Sequence, residues 1–100
     1  MLDQLTYEQM QGQIGSTFHI NAGGQTVDFV LVRAGRVMES ERARLKRTPF
    51  SLFFQGPPQP FLPQSMYGVR HPAFGDDELQ IFFVPVAREA DGFLYEAVFT

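Results

Sequence analysis

Cysteine and tryptophan are both missing from this 100-residue chain, and lysine and arginine together number only eight. The lack of cysteine removes disulfides, thiolate metal sites and a thiol nucleophile together, and it fits a reducing compartment. No run of about 18 apolar residues occurs, so no membrane-spanning helix is expected. Residues 1–13 carry neither a cationic segment nor a long apolar core, so no signal peptide is expected and a cytoplasmic address is the default reading. Nothing of low complexity stands out beyond one proline-rich stretch, and no internal repeat occurs at solenoid or propeller period.

What the chain does have is phenylalanine, eleven in all, within a composition that is 44% hydrophobic at a net charge of −3. That balance predicts a folded globule with an aromatic core, not a disordered segment. One domain of this length buries roughly 65% of its unfolded surface and needs no covalent staple.

Residues 79–86 are the most informative stretch. Read as a strand, they place Leu79, Ile81, Phe83 and Pro85 on one face and Phe82, Val84 and Val86 on the other, with only Gln80 breaking the apolar pattern. A strand with one wet face alternates apolar and polar residues, so the second face calls for a cover, either a closed barrel or another chain.

The remaining elements follow from periodicity. Thr6 with Gln9 makes a capping box flanked by Leu5 and Met10 at staple positions, which predicts a short helix over residues 5–14, ended by Gly12 or Gly15 and docked as a plug or lid. Period two then begins, with Phe18 and Ile20 inward, a turn at residues 21–25, and a partner strand over 26–33 that alternates Val27, Phe29 and Leu31 with Asp28, Val30 and Val32. The apolar pattern lapses over residues 34–48, which read as a charged flexible loop. A strand of phenylalanines starts at Phe50. Pro57, Pro58, Pro60 and Pro63 cannot serve a sheet ladder, so residues 56–64 are predicted to cross an end or edge of the sheet while Phe61 and Leu62 tuck inward. Strands over 65–71, 79–86 and 93–99 complete the set, the last two joined at Asp91-Gly92. The expected fold is all-β with one short N-terminal helix, a compact antiparallel barrel or sandwich of about six strands forming a single domain over residues 1–100.

Four blocks recur in a recognisable order: PFSLFFQGP (49–57), LPQSMYGVRHPAFG (62–75), LQIFFVPV (79–86) and DGFLYEAVF (91–99). With a looser opening over 5–18 they cover about two thirds of the chain. This pattern resembles an uncharacterised family of small bacterial domains of unknown function. The resemblance implies a cytoplasmic bacterial protein with no assigned activity, and an association with genes for phage-tail or tail-collar-like proteins. It carries over no functional residue.

The candidates for chemistry are few. His19 and His71 are the only side chains suited to near-neutral acid–base work. Catalysis around His71 would need a bond to Asp76 or Asp77 and a nucleophile such as Ser65 or Ser51. The plainer and favoured reading is a turn histidine bonding to backbone, since no nucleophile elbow or oxyanion loop is present. No metal is expected, because the two histidines and Asp76, Asp77 and Glu78 lack ligand spacing. Gly23-Gly24 reads as a turn, not a phosphate cradle.

Six of the eight basic residues (Arg33, Arg36, Arg42, Arg44, Lys46 and Arg47) fall in one stretch. Without interleaved aromatics in an acidic chain they do not make a nucleic-acid site. Against the acidic run Asp76-Asp77-Glu78 they would permit head-to-tail pairing, although two solvated loops are the plainer reading.

The expected function is therefore a non-catalytic structural or interaction module with no cofactor. Its partner is a protein, a homo-oligomer or a heterologous chain, and neither nucleic acid nor membrane. The contact residues singled out are Phe82 and Val84, with Arg42, Arg44 and Arg47 as a charged partner surface. A small apolar-ligand-binding barrel is the alternative, and an enzyme built on His71 the third reading.

Overall fold

The computed structural model of the protein describes residues 5–36 and 49–99. In chain order they form α1 (Tyr7–Gln11), β1 (Thr17–Ala22), β2 (Gln25–Arg36), β3 (Phe50–Gly56), β4 (Ser65–Arg70), a 3₁₀ turn (Pro72–Phe74), β5 (Leu79–Glu89) and β6 (Gly92–Phe99). The strands close into a barrel in the order β1-β2-β3-β6-β5-β4, with every neighbouring pair antiparallel. Of the two architectures the periodicity allows, the barrel is the one adopted.

Closure follows from the alternation. Phe18 and Ile20 of β1, Val27, Phe29 and Leu31 of β2, Phe50, Leu52 and Phe54 of β3, Leu79, Ile81 and Phe83 of β5, and Tyr95, Ala97 and Phe99 of β6 all face inward and are buried. The rings occupy the lumen. Phe29 stacks on Tyr95 at 4.4 Å between centroids and meets Phe83 edge-on at 5.3 Å, while Phe54 meets Phe83 at 5.2 Å and Phe18 at 5.3 Å. Such pairs contribute roughly 0.5–1.5 kcal/mol each beyond their buried area.

Strand order dictates the two ends. In the six-membered ring β3 and β4 lie diametrically opposite, so the chain between them has to span the barrel mouth. Residues 57–64 do this. Leu62 is buried beneath them and donates its backbone N–H to the Tyr95 hydroxyl at 3.0 Å, and the Tyr67 hydroxyl donates to the Pro63 carbonyl at 2.7 Å. Phe61 stays on the surface, in edge-on contact with Phe93, where the sequence had suggested that it tucks inward. The other end is closed by α1, whose Met10 is buried with Leu5, and by the 3₁₀ turn with Phe74. The plug expected of the helix is thus observed, with Thr6 accepting from the Gln9 N–H as its cap.

Three boundaries differ from expectation. The helix is only Tyr7–Gln11, because Gly12 caps it. β5 continues to Glu89 as the arm of the hairpin into β6. Most consequential, β2 runs on to Arg36, so residues 34–36 are strand and not loop. Cations hide this continuation in the sequence because each lies on an aromatic neighbour: the Arg33 guanidinium is 4.2 Å above the Phe53 ring and that of Arg36 is 4.5 Å above Tyr7. The rest of the predicted loop, 37–48, lies outside the described residues.

Gly92 sits at a φ of +142°, where an added β-carbon would overlap the Gly56 carbonyl oxygen and crowd the Pro57 carbonyl carbon, at the point where the crossing leaves β3. A methyl there meets backbone on both counts. Gly92→Ala is expected to lower unfolding free energy by about 2–4 kcal/mol. Gly24→Ala, at a φ of +91° with open space around it, is expected to lose only about 1 kcal/mol. Urea denaturation of both variants checks the difference; equal losses would show that the crossing does not bear on the hairpin.

Candidate interaction surface

Period two in β5 sends Phe82 and Val84 outward as surely as it sends Phe83 inward, and the neighbouring strands supply companions. Met66 of β4 is the cross-strand partner of Phe82, Val84 is paired with Glu96, Glu96 with Phe53, and Ser51 with Val98. Met66 is 52% exposed, Phe82 45% and Val98 59%, while Val84 and Phe53 are half-buried. Val86 is also exposed but sits within the bulge between Pro85 and Ala87. Singly exposed apolar residues mean nothing; several on adjacent strands form a patch of the kind that marks a contact surface.

Barrel closure therefore does not cover the second face of β5. It satisfies the inner face and leaves the outer one open, which separates two explanations that the strand pattern alone leaves together. A groove of about 270 Å³ lined by Gly35, Arg36, Pro49, Phe50, Ser51, Phe53 and Val98 borders the same patch. Of the residues singled out from the sequence, Phe82 and Val84 are thus adjacent on the outer wall. Arg42, Arg44 and Arg47 lie outside the described residues.

The polar end of the barrel is organised by His71, which is only 6% exposed. Its ring stacks on Phe18 at 3.9 Å, Nδ1 accepts from the Ala73 N–H at 3.0 Å, and Nε2 lies 2.9 Å from Ser16 Oγ. Because Nδ1 accepts, the neutral ring carries its proton on Nε2 and donates to Ser16, whose hydroxyl donates in turn to the Gln13 carbonyl at 2.6 Å. The favoured turn-histidine reading is the one realised. Both nitrogens are taken, so neither Asp76 nor Asp77 pairs with the ring. Ser51 instead lines the apolar groove and Ser65 opens β4 on the surface. The hydrogen bonds run from His71 to Ser16 and on to Gln13, opposite to the direction in which a histidine would take the Ser16 proton and activate it as a nucleophile.

The histidine–aspartate pair that does form is elsewhere. His19 Nδ1 lies 2.8 Å from Asp28 Oδ1, on directly opposed positions of β1 and β2. Arg70 of β4 flanks His19 on its other side and reaches to 3.7 Å from Glu78, so that an acid bounds the His19–Arg70 pair at each end. Asp76 and Asp77 line a neighbouring depression of about 320 Å³ with His19, Arg70 and His71. Among the described residues no group of three or more histidine or acidic side chains is arranged to hold a metal ion.

These features define a small antiparallel β-barrel with a filled lumen, whose candidate site is an outer wall and not a cleft. The chain belongs to the family described as Domain of unknown function (DUF6916), whose model matches residues 5–99. Comparison with curated proteins and with solved structures finds no match. The sequence resemblance to a small uncharacterised domain family is thereby borne out at the level of the family.

Burial away from water holds the His71 protonation equilibrium below its usual 6.5, with repulsion from His19 a smaller contribution. The unfolded chain then binds more protons than the native one between that lowered value and 6.5, so stability rises with pH through this window and is complete above it. His71→Asn keeps an acceptor for Ala73 N–H and does not titrate. Denaturation measured from about pH 5 to pH 7 is expected to show a shallower slope in this variant, which is also less stable throughout because it loses the stack on Phe18. Parallel slopes would show that His71 is not the titrating group.

Proposed function

We propose that this domain is a non-catalytic structural or interaction module that works by protein contact through the outer wall around Phe82. The supporting observation is the contrast between inside and outside. The lumen is filled by Phe18, Phe29, Phe54, Phe83 and Tyr95, all fully buried, while Met66, Phe82 and Val98 stand exposed on neighbouring strands. A filled lumen favours contact on the outside over uptake of an apolar ligand within. Closure also removes most strand edges, which directs association to side chains instead of ladder bonds.

The setting we propose is the cytoplasm of a bacterium, as an accessory to a phage-tail-like assembly. The four sequence blocks support that setting. The bond pattern of His71 supports the non-catalytic reading, since its hydrogen bonds are those of a cap. No helix among the described residues is long and apolar enough to cross a membrane.

Phe82→Ser removes the centre of the patch without opening the core. It is expected to shift unfolding free energy by no more than about 0.5 kcal/mol, as exposed substitutions do, and to reduce solution mass in light scattering across a dilution series. A variant that unfolds the chain while leaving its mass unchanged would make Phe82 a core residue and sink the proposal.

A further inference from the structure

The outer wall is not uniformly apolar: it carries one acid and one base, side by side. Val84, Glu96, Phe53 and Arg33 lie opposite one another on β5, β6, β3 and β2, forming a single transverse row. Strands in such a row are spaced by about 4.8 Å. Arg33 leans back over Phe53, which puts its guanidinium above β3, one strand away from the Glu96 carboxylate on β6. Despite that proximity the two do not pair with each other, and among the described residues neither makes an ion pair with any other group. Half-buried Glu96 is bounded by Val84, Val98, Leu94 and Phe53.

An anion and a cation at adjacent positions on an apolar strip are self-complementary under a two-fold rotation. An axis lying in the interface, parallel to the strands and passing between β3 and β6, carries the Arg33 guanidinium of one copy onto Glu96 of the next, and the reverse. The same operation sets Val98 against Ser51 and Leu94 against Gln55, since each pair stands at one level on β6 and β3. Two convex barrels touch over only a few strands, so the groups nearest the axis set the register. Resting on the reading that the outer wall is a protein interface, we infer that the occupant of this wall is a second copy of the chain, joined as a two-fold dimer through reciprocal Arg33–Glu96 pairs.

Charge reversal tests the symmetry itself. Arg33→Glu leaves two acids at the axis of each wall and Glu96→Arg leaves two bases, so each variant alone faces its own copy with like charge. Both are expected to weaken the dimer by about tenfold or more, measured by sedimentation equilibrium, with thermal melting to verify that each variant is folded. Mixed in equal amounts, the acidic and basic variants present opposite walls, and the dimer mass returns. The double variant R33E/E96R, with the pair exchanged, recovers it as well. A mixture no heavier than its components, or a wild-type chain that stays monomeric at every concentration, overturns the inference. A wild-type dimer that is lost in Phe82→Ser yet indifferent to both reversals also overturns it, while leaving the outer wall as an interface of different symmetry. Masses unchanged by all of these variants would remove both readings.

Discussion

Everything in this barrel depends on how aromatic rings fill a six-stranded ring of backbone. Closing so few strands leaves an interior wide enough for side chains and little else. Phe29 takes the centre, stacked on Tyr95 and met edge-on by Phe83, with Phe54 and Phe18 continuing the contact toward the plugged end. The strand between the two stacked rings, β3, has to give way. At Gly56 a β-carbon would stand 2.6 Å from Phe29 Cε1 and 2.8 Å from Tyr95 Cε2, so the last residue of β3 carries no side chain. The stacking geometry and the glycine are one constraint seen from two sides.

The ends of the barrel inherit this packing. Tyr95 is part of the stack, and its hydroxyl, the one polar atom it brings inside, accepts from Leu62 in the mouth crossing. Burial raises the Tyr95 hydroxyl's pKa, although the Leu62 N–H opposes it, and the group stays protonated and neutral. At the far end His71 plays the matching part. It lies on Phe18 and ties the 3₁₀ turn to residues 13–16 through Ala73 and Ser16. In both places a polar tip on an aromatic body satisfies backbone that a barrel end would leave unpaired.

The alternations at Phe18, Val27, Phe50 and Leu79 are legible in the sequence because each strand obeys period two over its buried stretch. The capping box at Thr6 is legible for a local reason as well, since its partners are three residues apart. The His19–Asp28 pair was within reach too: the turn at 21–25 fixes the hairpin register and places the two opposite each other. The extent of β2 was not, because Arg33 and Arg36 look solvated until Phe53 and Tyr7 are known to lie beneath them. Ser16 as the partner of His71 depends on β1 meeting β4, a closure 55 residues apart that no local signal announces. At the candidate surface, Phe82 and Val84 could be assigned to one face from β5 alone. Their continuity with Met66, Glu96 and Phe53 required the order of four strands.

A closed barrel offers a partner very little backbone. The unpaired stretch on β5 lies beyond the last β4 pairing at Phe83, and there Pro85 lacks a donor and the bulge at Val86 breaks the ladder. These are the devices by which sheets resist strand addition. Association is left to side chains on the convex wall, where apolar area supplies attraction without direction. Direction has to come from the few charges within the patch, and Glu96, without an ion-pair partner among the described residues and set beside a phenylalanine-bound arginine, is the arrangement on this wall that distinguishes one docking orientation from another.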